Sequence, residues 1–395
     1  MLRSLYSGIS GLRSHQTMLD VTGNNIANVN TTAFKASATQ FQDTLSQMTQ
    51  GAGSPQAEVG GTNPAQVGLG VQVAGISTNF AQGSAQTTGR ATDIMISGDG
   101  FFVTKLGGEN LYSRAGAFDF DAQGRLVSPD GAIVQGWNAV NGKISEGGAL
   151  GNITLPLQSV IPAVQTDKAT VAGNLPADAV AGTIVSRDVK VFDASGAART
   201  LALTFTSAGA GVWTVDGNDP AAAVPVTGTA TLTYTNGVLT PPVTSLTVGG
   251  ITVDLSTTTG YAKLTTVAVT DQNGRDAGTL ESFSLGKDGT VVGLFSNGGQ
   301  ESIGRIALAT FANPGGLEKA GSSAYRSTFN SGAAALGAPG SAGHGSLTGG
   351  ALEMSNVDLS QEFTNLIVAQ RGFQANARII TTSDEVLQEL TNLKR

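Results

Sequence analysis

Residues 355–395 read SNVDLSQEFTNLIVAQRGFQANARIITTSDEVLQELTNLKR, a run without Pro and with a single Gly. Apolar residues return every seven positions, at Leu359, Leu366, Phe373, Ile380 and Leu387. A companion column, four residues later, begins Phe363, Gln370, Ala377. So narrow a stripe is the seam of a helix that packs in coiled-coil fashion. Ser355 or Asn356 can cap its start, because a side-chain oxygen there accepts a free backbone N–H. Roughly 37 residues at 1.5 Å each predict a rod about 55 Å long. Such a rod cannot bury its stripe on itself and needs a partner.

The first partner lies at the other end of the chain. Leu5, Leu12, Leu19 and Ile26 also recur every seven residues, and Leu2, Ile9, Gln16 and Gly23 form their companion column. The spacing predicts a helix from Leu2 to Ala27. The plain reading of two such ends is a pair of amphipathic helices on one globular core. The chain between them argues otherwise.

Only 13% of the residues are charged, 6% are aromatic, and Gly occurs 54 times in 395 residues. That profile is common in β-proteins with many tight turns. A net charge of −7 speaks against a nucleic-acid partner. With no Cys there is neither a disulfide nor a thiolate–metal site. His15 and His344, the only histidines, stand at opposite ends, so no metal centre and no His-based catalysis is expected. No nucleotide-binding Gly loop is present, and no cofactor is expected. No apolar run approaches the roughly 20 residues of a membrane span. The first residues are amphipathic and lack a small-residue cleavage site after an apolar block, so no cleaved signal peptide is expected. The protein is then cytoplasmic, or exported by a route that cleaves no signal.

Between the helices the pattern is β. Residues 50–70, rich in Gly, Pro and Gln, read as an extended or irregular connector. From Val71 come short strands punctuated by turns at Gly98-Asp99-Gly100, Ala122-Gln123-Gly124 and Pro129-Asp130-Gly131. In the next region, alternation is clear in RTLALTFTS, GVWTVDG, ATLTYTNG and GGITVDLS. Those segments suit an antiparallel sandwich or small barrel. Asp216 and Asp219, in DGND, read as a turn rather than a cation site. From Gly278 the hairpin style of the earlier strands returns. Residues 332–350, small and Gly-rich, read as a flexible link.

The expected fold class is mainly β with α-helical termini, in nested discontinuous domains: two β-domains plus a terminal-helix coiled-coil domain. Residues 1–27 and 354–395 form the terminal helical polymerisation domain and 28–70 a connector. Residues 71–167 and 279–353 form a first β-domain, and 168–278 an outer β-domain inserted into it. The links at 50–70 and 332–350, with the segments near 155–168 and 271–278 that flank the outer domain, are expected to act as hinges.

The segment ANVNTTAFK, at 27–35, resembles the Ala-Asn-x-x-Thr-x-Gly-Phe-Lys signature of flagellar rod and hook proteins, carried here by Ala27, Asn28, Thr31, Phe34 and Lys35. GDGFFVT from Gly98, YSRAGAFDFDAQGRLVSPDG from Tyr112 and GALEMSNVDLSQEFTNLIVAQRGFQANARII near the end also resemble that family. Together these stretches cover about half the chain, all outside the central insert. Ala33 stands where the pattern usually has Gly. Ala is comfortable only at negative φ, so a locally different backbone is expected there. Phe34 and Lys35 are expected to anchor the connector by packing.

The resemblance implies a non-enzymatic tubular homopolymer whose terminal helices line a channel. Hook-type members of the family carry an extra outer domain, which the insert fits. The resemblance also implies a torque-transmitting tube outside the cell, export by the flagellar apparatus, and contact with rod, cap and hook–filament junction proteins. The polymerisation seam would comprise Leu5, Ile9, Leu12, Leu19, Ile26, Leu359, Phe363, Leu366, Phe373, Ile380 and Leu387. Two other readings compete: a distal rod or junction component, or a secreted β-rich carbohydrate-binding protein, which leaves the terminal heptads unexplained. Deleting residues 1–27 is expected to abolish polymer formation while the β-domains stay folded, as checked by electron microscopy beside circular dichroism.

Overall fold

The computed structural model describes residues 2–56, 60–140, 142–156, 160–220, 226–240, 244–341 and 343–392. Small parts of the expected domains therefore lie outside the described residues: Met1, the Leu2 side chain, 57–59, 141, 157–159, 221–225, 241–243, 342 and 393–395. Two long helices close the ends, α1 at Leu2–Ala27 and α2 at Leu359–Asn392. Among the described residues between them, one short 3₁₀ turn aside, the chain is strand, turn and irregular loop. The chain divides into two compact units. One is Met1–Leu155, Ser284–Val292 and Ser302–Arg395, and the other is Pro156–Phe283 and Gly293–Glu301.

Helix α2 is 34 residues long and starts later than expected. Its cap is Asp358, whose Oδ1 accepts the N–H of Ser360 at 2.8 Å and of Gln361 at 3.3 Å. Asn356 is engaged elsewhere. Its Oδ1 accepts from Ala36 N, and its Nδ2 donates to Asn79 O and Ala81 O.

The connector is more regular than its composition suggests. Strands β1 (Ser37–Asp43) and β4 (Val71–Thr78) pair antiparallel from Ser37↔Thr78 to Asp43↔Val71. Between them, β2 (Ser46–Gln50) and β3 (Ala65–Gly68) form a second ribbon. Polar and small residues suffice because main-chain bonds hold the ribbon together and most of its side chains stay exposed. Helix α1 passes into it through Asn25, whose Nδ2 donates to Ser37 O and whose Oδ1 accepts from Ser37 N. That amide copies the paired bonds of a neighbouring strand.

The β-body of this unit centres on aromatic side chains. Phe101, Val103, Tyr112, Phe311 and Tyr325 are buried together. Tyr112 meets Phe311 edge-on at 4.8 Å between ring centres, and Phe101 meets Phe311 at 5.9 Å. Both geometries are favoured by the ring quadrupole. The Gly98-Asp99-Gly100 turn needs its glycines, which hold φ of +102° and +136°. Parts of the 332–350 link, Ala335–Gly337 and Ser346–Gly349, are held by pairing rather than loose. Strand Ser346–Gly349 pairs with Ile94–Ser97, and a Cβ at Gly345 would fall 2.6 Å from Ser97 O. Small residues here permit close backbone approach, which composition alone does not separate from mobility.

In the second unit, alternation governs burial. Leu201, Leu203 and Phe205 point inward from one strand, Trp213 and Val215 from the next, then Leu232, and Ile251, Val253 and Leu255. The sheet is antiparallel apart from one parallel pair, Lys168–Asn174 beside Ile251–Thr259. Asp216 and Asp219 are not in a turn. They lie on strand Val212–Asp219, where Thr229 Oγ1 donates to Asp216 and Arg199 pairs with the buried Asp219 at 2.9 Å. The expected hinge segments near 155–168 and 271–278 are tied together, since Val164 and Arg275 exchange both backbone bonds at 2.9 Å. Leu203→Ala is expected to cost about 2–5 kcal/mol, because Leu203 is fully buried. Denaturant unfolding read by Trp213 fluorescence in a Trp137→Phe background checks it.

Candidate functional site: a helix pair and its buried junction

Helices α1 and α2 lie antiparallel. A Cβ placed on Gly8 would meet Ile379 and Ile380 at 3.4 and 3.6 Å, one on Gly11 would meet Asn376 at 2.7 Å, and one on Gly372 would meet His15 at 2.6 Å. The partners run backward along α2 as α1 runs forward. Small side chains therefore set the spacing. On α1 the buried positions are Gly8, Gly11, Ser14, Thr22 and Asn25. The apolar column Leu5, Ile9, Leu12, Leu19 and Ile26 flanks this line and is half-buried.

On α2 the column divides. Leu366, Phe373 and Ile380 are half-buried, whereas Leu359, Phe363 and Leu387 are exposed. Ile367, Val368, Ile379, Val386 and Leu390 are exposed as well, and Phe363 keeps 52% of its surface in water. Pairing with α1 thus leaves apolar side chains of α2 in water on both sides of the contact face. So many apolar side chains left in water on one helix exceed what a folded single chain usually exposes.

The signature segment sits at the foot of this helix pair, and its residues part there. Asn28 and Thr31 build a polar turn. Thr31 Oγ1 donates to Asn28 Oδ1 at 2.9 Å, and Asn28 Nδ2 donates to Asn24 Oδ1 at 2.6 Å. Ala27 is exposed at the end of α1. Phe34 is half-buried beneath Lys319, whose ammonium stands 5.4 Å from the ring centre.

Lys35 is wholly buried. Its Nζ lies 2.6 Å from Glu353 Oε1 and donates to Ala81 O at 2.8 Å. The same Glu353 oxygen accepts the Gly83 N–H at 2.8 Å, and Arg114 stands 3.6 Å away. Arg114 in turn donates to Gly100 O at 2.9 Å and to Gly98 O. Burial pushes the Lys35 ammonium below the usual lysine range, and Glu353 opposes that shift. Nearby, burial pushes the Tyr325 phenol up to about 12. One ion pair thus fastens the strand just before α2 to the segment just after α1.

Ala33 corrects the expectation drawn from its side chain. It is fully buried and adopts φ +56°, the left-handed conformation that favours Gly. Its N–H donates to Glu353 O at 2.8 Å, and this bond to the clamped Glu353 strand holds the backbone in place. For a non-Gly residue that conformation costs about 1–2 kcal/mol. The sequence singled out Lys35 but missed Glu353 and Arg114. The signal was present as the lone acid in GGALEMS, flanked by small and apolar residues.

Comparison with known proteins gives three family matches. Residues 5–35 match flagella basal body rod protein, 95–185 the flagellar hook protein FlgE/F/G D1 domain, and 348–393 the flagellar basal body rod FlgEFG protein C-terminal region. The flagellar hook protein FlgE of Borreliella burgdorferi is 39% identical over all of both chains. That of Salmonella typhimurium is 38% identical over 99% of this chain and 100% of its own. The flagellar basal-body rod protein FlgG of Bacillus subtilis is 35% identical over all of both chains. A crystal structure of Helicobacter pylori flagellar hook protein FlgE2 superposes with a TM-score of 0.50 at 14% identity, over 66% of this chain and 98% of that one.

Breaking the junction is expected to be costly. Lys35→Met strands a buried carboxylate and should lose about 3–5 kcal/mol in chemical denaturation. In the Lys35→Met/Glu353→Gln double variant the loss should be smaller than the sum of the two single losses, because the pair acts as a unit.

Proposed function

The chain belongs to the family of flagellar hook and basal-body rod proteins, and we infer that it is the structural subunit of the flagellar hook. The observation that carries this reading is full-length similarity to hook proteins together with a terminal helix pair that leaves many apolar side chains of α2 in water. Copies of the chain assemble by burying those side chains between neighbours. Each Leu, Ile or Phe taken fully out of water contributes roughly 1.5–3 kcal/mol. A few such side chains per subunit outweigh the entropy lost on assembly.

In this reading the seam residues Leu5, Ile9, Leu12, Leu19, Ile26, Leu359, Phe363, Leu366, Phe373, Ile380 and Leu387 act in two sets. The half-buried set joins α1 to α2, and the exposed set joins one subunit to the next. The β-units are the rigid parts of a flexible curved tube that carries torque from rod to filament. The domains expected from the sequence serve this division of labour, with 1–27 and 354–395 forming the inner tube. The tube stands outside the cell. Its subunits are exported by the flagellar apparatus without a cleaved signal, and its ends meet rod, cap and junction proteins.

A second reading, a rod subunit, draws on the Bacillus subtilis rod protein that matches along the whole chain. Expression in cells lacking their own hook subunit separates the two. Curved hooks there mean the first reading, whereas no hooks there but rods restored in cells lacking their own distal rod subunit mean the second.

Helix burial should also appear in solution. The isolated chain is expected to show less helix by circular dichroism than the assembled tube, because Leu359, Phe363 and Leu387 lack their partners. Phe363→Asp should leave the unfolding of the monomer within about 0.5 kcal/mol of the parent and yet yield no tubes by electron microscopy. Leu366→Asp should also destabilise the helix pair.

A further inference from the structure

One side chain is out of place in a folded body. Phe329 has a relative exposure of 110%, more than a phenylalanine in an extended chain. The loop that displays it is not loose. Thr328 Oγ1 donates to Gly316 O at 2.6 Å, and Ser331, fully buried, donates from Oγ to Thr328 O at 2.9 Å. The N–H groups of Asn330 and Ser331 both return to Thr328 Oγ1. Asn313 Nδ2 holds Asn330 O at 3.0 Å, and Gly316 packs so closely that a Cβ there would lie 2.8 Å from Ser331 N. A fixed loop thus holds a bare phenyl ring in water. A rigid aromatic offering roughly 150–250 Å² for burial has the character of an interface anchor.

The same unit carries a matching recess. A cleft of about 550 Å³ opens between the signature segment and the β-body, lined by Phe34, Ala115, Pro129, Asp130, Ala324 and Tyr325 among others. It has room for a phenyl ring with the loop residues on either side. Phe329 is not among its lining residues. Each copy therefore presents both a knob and a recess, formed by different residues. When knob and recess lie on different patches of one chain, copies join head to tail and the contact repeats without closing. That is the assembly rule of a filament or tube.

We propose that Phe329 of one subunit seats in the cleft at Phe34, Pro129 and Tyr325 of the next, a contact between β-bodies separate from the helix seam. The proposal rests on the assembling function inferred above. It also gives the signature segment a second task, since Phe34 would form part of the receiving wall.

The absence of Cys makes the test clean. Full-length Phe329→Cys chains and Asp130→Cys chains are grown together on tubes of the parent protein, then oxidised and run on a non-reducing gel. Disulfide-linked dimers are expected from the mixture and not from tubes of either variant alone. Phe329→Ala should raise the critical concentration for assembly at least about ten-fold, which corresponds to 1.4 kcal/mol. Entry of both Cys variants into tubes without mixed dimers overturns the proposal. Failure of a folded Phe329→Cys chain to enter, while Asp130→Cys enters normally, supports it. If the parent chain itself makes no tubes, the functional reading fails and not this contact alone.

Discussion

The buried pair between Lys35 and Glu353 joins residues 318 positions apart in the chain. A charge taken out of water is tolerated only when it is paired and hydrogen-bonded. Here both conditions are met on the ammonium side. Lys35 has a carboxylate and a carbonyl, while Glu353 has Lys35, the Gly83 N–H and the Arg114 guanidinium close by. Among the described residues, Glu353 Oε2 makes no hydrogen bond. The pair is therefore strongly position-dependent, and a small shift of either strand exposes an uncompensated charge. That dependence is what registers the start of α2 against the end of α1. It also explains how Ala33 keeps a left-handed backbone, since its N–H is bound to the same strand.

From that junction the two helices leave together, and their packing follows from size. Gly8, Gly11 and Gly372 let the backbones approach so closely that Asn376 and His15 fill the places where a side chain would stand. A close, small-residue contact uses little of the apolar surface that the heptads provide. The larger side chains are pushed to the flanks, and on α2 many of them remain in water. The pair is thus stable enough to form and incomplete enough to need neighbours. A wide Leu–Leu interface within one chain would have left no flank to offer.

The β-units solve a different problem. In the second unit the longer strands carry Leu, Val, Phe or Trp mainly on one face and mostly Thr, Ser or Asp on the other. Charged residues are few, and those that are buried find partners, as Asp219 finds Arg199. The body of the first unit relies instead on tilted and edge-on aromatic rings and on glycines at turns.

Much of this was legible in the chain itself. Heptads at both ends gave two helices, period-two alternation gave the strands of the second unit, and Gly98, Gly124 and Gly131 marked turns, because local geometry dictates side-chain spacing. The signature at 27–35 and the C-terminal run identified the family. The cap at Asp358, the strands within 37–68 and the pairing of 332–350 were not legible, because small and polar residues suit a loop and a close-packed strand equally well. Tertiary structure alone decided that DGND is a strand end, that Ala33 takes a positive φ, and that Lys35 finds Glu353. Each of those depends on which distant backbone arrives beside the residue. Sequence fixes periodicity, and therefore helix, strand and apolar face. Which face meets which, and which stays open for another chain, is set by the sizes and charges that meet only after folding.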